Sequence, residues 1–433
     1  MRDVVVLDEW TSIGPDGAGC GHLRNELTPA DRVLAQALRQ RNQLEVVELR
    51  SGVQLRARSH VGRIRFDAFD VVVRPKVAAK ELLVLCLYAF GLKHPPPLGE
   101  VTYPDEGDLF TELLVAALTR EAHRILERGL VRSYERRHEE LEAPRGRIDF
   151  ARIARNGGIR RASLPCVHHS RSSDNLLNGV LHAGLVLSSK LARVPEIRRK
   201  AAQAAALLGE HTATRPLDAT VLANALRSLN RLNAHYEPAL DLVAALHAGT
   251  LADLDGAGSA RRSLPGFLFD MNALWQRLLE RFLREHLDDC TVEGEHSLRR
   301  MFEYVENPRN VQAPTPRPDY AVRRSGSVSL LDAKYRDLWE KKLPRDMLYQ
   351  LGIYALSQPP AATAAILYPT VSREARAARI KIRSPTERTT MAYVELRPVH
   401  VPTLAAALAE GPSGGPERRR IAEQLAFGKA GRP

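Results

Sequence analysis

The residues best suited to chemistry lie in one stretch, PDYAVRRSGSVSLLDAK, from Pro318 to Lys334. Pro318 and Asp319 open a predicted strand, Arg323 to Ser327 form a hairpin turn, and Val328 to Leu331 form an apolar strand that ends on Asp332, Ala333 and Lys334. Side chains alternate across a strand, so Asp332 and Lys334 share a face. Two carboxylates on paired strands then converge with an amine beside them. That set suits hydrolysis of a phosphodiester. Carboxylate oxygens bind Mg²⁺ (or Mn²⁺), a hard cation that keeps several waters. Such an ion polarises a phosphoryl oxygen and lowers the pKa of water, and a lysine stabilises the developing negative charge. The plain alternative is a surface hairpin with a salt-bridged lysine, since a bare D-x-K triplet is common.

The elements around the triplet argue against that alternative. Upstream, Asp270 to Leu287 reads as a strongly amphipathic helix carrying Glu280. Downstream, Pro344 to Ser357 reads as a helix with proline near its first position, and Gln350 and Tyr354 lie four apart on one face. Helix, PD strand, DxK strand and Q-x-x-x-Y helix, in that order, resemble the PD-(D/E)XK nuclease core, most closely its RecB-type branch. The resemblance implies catalytic roles for Asp319, Asp332, Lys334 and Gln350.

The rest of the chain must serve something else. It has 433 residues, enough for two or three domains of usual size. An apolar share of 44% and a charged share of 26% exclude a disordered or fibrous protein. Strands are expected at Val4–Leu7, Leu44–Leu49, Val53–Arg58, Ile64–Phe66 and Val71–Lys76. A short helix, Pro29 to Gln40 with Thr28 as N-cap, lies among them. An apolar helix, Ala79 to Phe90, follows. Beyond a linker around Pro95–Pro97, Asp108 is expected to cap a long amphipathic helix, and the chain is mostly helical to about residue 260. The expected fold class is α+β and multidomain: a β-rich N-terminal region (1–100) for partner docking, a helical middle (101–260) and a C-terminal α/β PD-(D/E)XK, restriction-endonuclease-like core (261–400). Residues 401–433 should form a helix and a mobile tail.

No apolar run approaches the ~20 residues of a membrane span, and the opening MRDVVVLDEW has no signal-peptide pattern. Four cysteines without a CxxC pair argue against disulfides and structural zinc, so a cytoplasmic protein is expected. The net charge of +12 suggests an acidic partner, but only ten of the 63 basic residues are lysine. That bias fits GC-rich coding, so the charge alone carries little. Arg373, Arg376, Arg379, Lys381 and Arg383 could track a DNA backbone, and a solvated face is the alternative. Arg145 and Arg147 could reach a phosphate, and pairing with Glu139, Glu140 and Glu142 is the alternative. His168 and His169 have no second ligand pair nearby. There is no Walker-type G-x-x-x-x-G-K-[ST], and Gly14 to Gly21 reads as a loop.

From about residue 70 to 370 the chain resembles the McrC family. The likeness is carried by PGFLFDMNALW (265–275), LDAKY (331–335), RPK (74–76), LEAPRGRI (141–148), and Cys166 followed by SDNLLN (173–178). The resemblance implies a metal-dependent DNA endonuclease subunit of a modification-dependent restriction system in antiviral defence. Its partners would be a hexameric McrB-like AAA+ GTPase, stimulated by the N-terminal part, and modified double-stranded DNA. One position departs: where the family has an acid after the aromatic, this chain has Gln276. Glu280, one turn later, is the expected substitute as metal ligand beside Asp319 and Asp332. A non-catalytic activator with a degenerate nuclease fold and a RecB-like repair nuclease are the competing readings.

Overall fold

The computed structural model describes residues 3–17, 21–24, 26–92, 106–159, 162–250, 266–359 and 362–428. The expected linker at Pro95–Pro97, part of the Gly14–Gly21 loop and the polar stretch Asp255–Ser263 lie outside them. The chain is a mixed α+β protein with several sheets, and it divides into two compact units. One unit holds residues 1–95, 104–109 and 268–433, and the other holds 96–103 and 110–267. Residues 1–95, which the sequence sets apart from the C-terminal core, thus fold into the same unit as that core.

The first elements follow the hydrophobic pattern. β1 (Asp3–Asp8) and β2 (Ser12–Ile13) precede α1 (Pro29–Gln40). Thr28 accepts the Asp31 N–H at 3.2 Å, which satisfies one of the helix's orphan donors. Leu34 and Leu38, four apart, face inward. β3 (Leu44–Leu49), β4 (Gly52–Ala57), β5 (His60–Arg65) and β6 (Phe69–Arg74) lead to α2 (Ala79–Ala89). β6 is buried from Phe69 to Val73. It lies inside a sheet, parallel to β1 and antiparallel to β5, which explains its unbroken apolar run. Asp70 sits in that run because Arg63 reaches it at 3.2 Å.

The second unit is mostly helical. α3 (Glu106–Arg128) leads into it, followed by β7 (Ser133–Leu141), β8 (Arg147–Ile148), α4 (Phe150–Arg155) and β9 (Leu164–Ser172). β9 is the centre of a three-stranded sheet, with β7 and β8 antiparallel on either side. α5 (Leu176–Leu191), α6 (Pro195–Gly209), α7 (Ala219–Arg227) and α8 (Glu237–Gly249) complete the unit. α5 is apolar around most of its surface, as a helix packed on by three others must be. Gly184 lets α8 approach: a Cβ there would strike the Val243 side chain. Asp108 does not cap α3, which starts two residues earlier; its carboxylate instead pairs with Arg63 at 3.0 Å.

The chain returns through β10 (Gly266–Asp270), which takes the edge of the β1-β6-β5 sheet. α9 (Met271–His286), β11 (Thr291–Gly294), β12 (Tyr320–Arg324), β13 (Ser327–Ala333), α10 (Arg345–Leu356), β14 (Thr363–Thr370), β15 (Ala378–Arg383) and β16 (Thr390–His400) follow. They build a six-stranded sheet in the order β11-β12-β13-β14-β16-β15. β13, β14 and β16 are parallel, and the outer strands are antiparallel to their neighbours. α10 is the crossover between β13 and β14 that parallel pairing requires. Leu351, Tyr354 and Ala355 of α10 pack on Leu330, Ile366 and Val394. Pro344 is the N-cap of α10 and not its first residue.

The C-terminal segment differs from expectation. α11 (Val401–Ala409) is followed by a second helix, α12 (Gly415–Phe427), where the sequence offers a mobile tail with at most one short helix. Ala422, Leu425 and Ala426 are buried, and Arg397 holds the Leu425 carbonyl at 2.8 Å. The basic run Arg418–Arg420 hides this apolar face from a composition-based reading. Among the described residues no helix is long and apolar enough to cross a membrane.

Arg63 is the most exposed to test of these contacts, since it holds the buried Asp70 and Asp108 together. Arg63→Met leaves two buried carboxylates without it. Urea unfolding should show a loss of about 3 kcal/mol, and a change below about 0.5 kcal/mol would contradict the assignment.

Candidate active site

The site grows from one ladder. β12 and β13 pair antiparallel with Tyr320 opposite Leu331, so the next residue outward, Asp319, stands opposite Asp332. Opposed residues project to the same face. Asp332 and Lys334 continue the face that Leu330 presents to α10, and the polar residues begin where the apolar cluster ends. The ladder is held in place by β14, whose Ile366 pairs with Asp332, and by the Lys334 N–H, which donates to the Leu367 carbonyl at 3.1 Å.

Within this frame the structure brings Asp319, Asp332 and Lys334 together. Lys334 Nζ lies 2.8 Å from Asp332 Oδ2. Asp319 Oδ2 accepts the Ala333 N–H at 2.7 Å, and Oδ1 accepts from Gln276 Nε2 at 3.1 Å. Asp332 is 1% exposed, and its Oδ1 has no hydrogen-bond partner among the described residues. Burial, and then the neighbouring Asp319, push the Asp332 carboxyl up to about 6 against the pull of Lys334. Burial likewise raises Asp319, opposed by Lys334, the Ala333 N–H and Gln276. Burial works against the Lys334 ammonium, but Asp332 and Asp319 outweigh it and raise its pKa. The lysine is therefore charged at neutral pH, while Asp332 titrates close to it.

The two flanking helices act from opposite sides. Tyr320 donates its hydroxyl to the Gln276 carbonyl at 2.6 Å, and Trp275 donates its indole N–H to the Leu367 carbonyl at 3.1 Å. The first bond fixes α9 to β12 beside Asp319, and the second fixes it to β14, which pairs with the strand of Asp332. On α10, Gln350 donates to the Tyr354 hydroxyl at 2.7 Å, which in turn donates to the Arg317 carbonyl at 2.9 Å. Gln350 is thus spent on Tyr354. It holds the chain just ahead of Pro318 and Asp319, and its effect on the carboxylates passes through that contact.

Glu280 is not brought to the pair. Its carboxylate lies 2.7 Å from Arg284 and leans over Gly294, where a Cβ would strike it. The physical reason is the i,i+4 spacing, which offers Glu280 a cation on its own helix. Gln276 occupies the position that touches Asp319. Its amide offers a donor there where a glutamate would add a third carboxylate. Among the described residues no three His, Cys, Asp or Glu side chains cluster to hold a metal. Two carboxylates remain, one with an idle buried oxygen, and Mg²⁺ is commonly held by one or two carboxylates, waters and substrate phosphate. The donor set therefore fits such an ion.

The basic candidates are dispersed. Asp332 pairs with Ile366, Ile366 with Leu396, and Leu396 with Ala378, so β15 lies three strands from the site, about 14 Å away. Arg379 covers the Tyr393 ring at 3.8 Å and lies 3.4 Å from Glu395. Lys381 Nζ is 5.9 Å from the same ring. Arg376 donates to the carbonyls of Arg373 and Ala375, and Arg373 lines a polar surface cavity with His400. In the other unit, Arg145 and Arg147 are exposed and make no ion pair with a described residue. Two of their three expected partners are engaged elsewhere: Glu139 with Arg137 and His168, and Glu140 with Arg152. His168 is buried and paired, and His169 is exposed.

Sequence reasoning overlooked Glu9, which accepts the Tyr335 hydroxyl at 2.9 Å directly after the triplet. Nothing in the spacing of residues 9 and 335 announces that contact.

A family model described as a McrBC 5-methylcytosine restriction system component matches residues 55–369. The chain belongs to this McrBC family. Its fold is similar to a chain of the refined half-complex from the tetradecameric assembly of Thermococcus gammatolerans McrB AAA+ hexamers with bound McrC. That match has 19% identity and a TM-score of 0.56, and it covers 98% of this chain and 100% of that one. A chain of the T. gammatolerans McrBC complex is also similar, at 19% identity and TM-score 0.46, over 66% of this chain and 88% of that one. No curated protein matches the chain by sequence.

An aspartate whose folded-state pKa is about 6, against an ordinary 3.8, binds its proton more tightly in the folded state. Its stabilising effect is full at pH below 3.8 and is lost as pH rises through 6, by up to about 3 kcal/mol. Asp332→Asn should remove that loss. In metal-free buffer, the variant should gain stability over wild type between pH 4 and pH 7.5, by about 1–3 kcal/mol in urea unfolding. A pH-independent difference would show that Asp332 does not titrate in this range.

Proposed function

We propose that this chain is the metal-dependent DNA endonuclease subunit of a McrBC-like restriction system in antiviral defence, with a C-terminal PD-(D/E)XK core. The observation that carries the reading is the constellation of buried Asp332 with half-buried Asp319 and Lys334 at the open end of a parallel strand. Asp319 and Asp332 would hold Mg²⁺ or Mn²⁺, which supplies Lewis-acid polarisation of the phosphodiester when bound. Lys334 is kept charged by both aspartates and offers that charge to the phosphate as negative charge develops. The Ala333 N–H and Gln276 hold Asp319 in one orientation, so little reorganisation is needed during reaction.

The proposed partner is a hexameric McrB-like AAA+ GTPase. Support comes from the family and from the likeness to a chain of an assembly of McrB hexamers with bound McrC. Arg145 and Arg147 are the proposed contacts to the partner's nucleotide site or to DNA phosphate, because they are exposed and Glu139 and Glu140 are engaged elsewhere. Arg373 and Arg376 are better placed than Arg379 for a DNA backbone, since Arg379 is tied to Tyr393 and Glu395. Lys381 lies farther along β15 and would contribute at most at the rim. The substrate would be modified double-stranded DNA.

A second reading is an activator with a weakened nuclease site. Gln276 in place of an acid and Glu280 turned to Arg284 favour it. A cleavage assay with the partner GTPase, GTP and Mg²⁺ on modified DNA separates the two. Asp332→Ala and Lys334→Ala should each lower cleavage by at least about 10³-fold, the scale of losing an electrostatic group in a site, while GTP hydrolysis by the partner stays stimulated. Equal cleavage by wild type and Asp332→Ala would sink the nuclease reading. In the same assay, Arg145→Ala with Arg147→Ala should reduce stimulation of GTP hydrolysis or DNA binding, and unchanged values of both would place the contact elsewhere.

A further inference from the structure

The connection between β11 and β12 runs from residue 295 to 319 without helix or strand. Irregular connections longer than ~12–15 residues are uncommon in compact units and usually carry function. This one leaves the sheet at the candidate active site. The Glu295 N–H donates to the Asp319 carbonyl at 2.8 Å, and the Leu298 N–H donates to the Pro316 carbonyl at 2.9 Å. Leu298 packs on the buried cluster that contains Leu330, Leu351 and Tyr354. The Tyr354 hydroxyl in turn holds the Arg317 carbonyl. Both ends of the loop are therefore fixed beside Asp319.

Past that stem the loop holds apolar side chains in water. Phe302 and Tyr304 are exposed, and Val305 is fully exposed, at 100%. A single exposed apolar residue is ordinary, whereas a group of them marks a contact surface. The returning half of the loop is closed by Asn307, whose Oδ1 accepts the Val311 N–H at 3.0 Å and whose Nδ2 donates to the Val311 carbonyl at 2.8 Å. The charges around the apolar group are mostly positive. Arg299, Arg300, Arg309 and Arg317 are all exposed, and none makes an ion pair with a described residue. Glu303 and Glu306 are the acids of the same stretch, so four cations stand against two anions.

An apolar tip among unpaired arginines, rooted at the carboxylates, fits one partner. A DNA duplex offers phosphates to the guanidinium groups and an apolar base step to the tip. We propose that this loop is a DNA wedge: Tyr304 and Val305 enter between two adjacent base pairs, unstack them and kink the duplex, while Arg299, Arg300 and Arg309 hold the phosphates on either side. The reach agrees. Pro316 lies three residues, ~10 Å, from Asp319, and Val305 lies seven residues, at most ~23 Å, from Leu298. The kink therefore falls within about one helical turn, ~34 Å, of the phosphate held at Asp319 and Asp332. Unstacking a step costs free energy, which the added contact surface on the bent duplex offsets. The choice of DNA as the partner rests on the nuclease reading above.

The test uses the full chain in EDTA, where nothing is cut, and duplexes of about three helical turns, each with one 2-aminopurine at a different internal position. This base fluoresces when it is unstacked. Wild type at saturation should raise the fluorescence several-fold. Tyr304→Ser combined with Val305→Ser should abolish the rise and weaken binding about tenfold, the scale of one lost stacking contact. Both residues are exposed, so the urea midpoint of the double variant should match wild type. Arg299→Ala and Arg309→Ala should each weaken binding and make its salt dependence shallower by about one unit of slope, with the rise at saturation kept. Absence of duplex binding, a saturated wild-type complex without a rise at any position, or a rise that the double serine variant keeps each overturns the proposal. Unchanged binding in both arginine variants overturns it as well. Self-association of wild type in sedimentation that the double serine variant loses, with equal DNA fluorescence for the two, overturns it and assigns the tip to a second copy of the chain. The two readings fail separately. Cleavage lost in Asp332→Ala with no wild-type fluorescence rise rejects the wedge alone, and cleavage retained in Asp332→Ala with a rise rejects the nuclease reading alone.

Discussion

Placing two carboxylates opposite each other across a β-ladder, one buried and one half-buried, is the constraint on which this unit depends. Each buried charge costs several kcal/mol before it gains a partner, and Asp319 and Asp332 also repel one another. The surroundings answer in a definite order. Lys334 supplies a full positive charge between them. The Ala333 N–H and the Gln276 amide supply partial positive charge to Asp319 alone. Asp332 receives no such help on Oδ1. The asymmetry leaves one aspartate hydrogen-bonded on both oxygens and the other with an idle oxygen and a carboxyl raised to about 6. A pair arranged for stability alone would share its donors more evenly.

The scaffold makes this arrangement rigid by tying irregular chain to regular elements through side-chain hydroxyl and indole groups. Tyr354 holds the Arg317 carbonyl, Tyr320 holds the Gln276 carbonyl, and Trp275 holds the Leu367 carbonyl. All three rings are buried. Each packs apolar area while its polar tip fixes a backbone group near the carboxylates. The N-terminal residues join the same unit, and Glu9 takes the Tyr335 hydroxyl just beyond Lys334. The segment after the triplet is therefore held by residues more than three hundred positions away in the chain.

Much of this was legible in the sequence. Period-two and helical patterns located the two strands and the two flanking helices around Asp319 and Asp332, because those elements bury one face each and their sequences show it. The alternation argument also put Asp332 and Lys334 on one face, where the ion pair forms. Three things were not legible. The role of Gln350 was read as direct, but the tyrosine one turn away is the nearer acceptor. Glu280 was expected to replace the missing acid, yet Arg284 lies one turn along on the same helix and claims it. Side-chain competition within a helix is settled by rotamers and distances, which spacing does not give. The helix after Gly415 was read only as a short one in a mobile tail, since its apolar positions, Ile421, Ala422, Leu425 and Ala426, come after a run of three arginines. Glu9 gave no signal at all, since its partners come from distant segments.

A glutamine and not an acid at position 276 has an electrostatic consequence for the proposed site. Asp319, Asp332 and Lys334 carry a formal charge of −1 when all are ionised, whereas a glutamate at 276 would make it −2. The amide of Gln276 favours the ionised form of Asp319 without adding charge. A third carboxylate would instead raise all the acids further by like-charge repulsion. The present set therefore stays ionised more easily near neutral pH but attracts a divalent cation less strongly. On the proposed reading, the missing attraction has to come from the phosphate of bound DNA, which adds an anionic oxygen at the moment of engagement. Ion binding and DNA binding would then be coupled, each favouring the other by the same factor. That coupling would leave the free subunit a weaker site for the ion than the DNA-bound one, so a partner that delivers DNA would also govern when the site is competent.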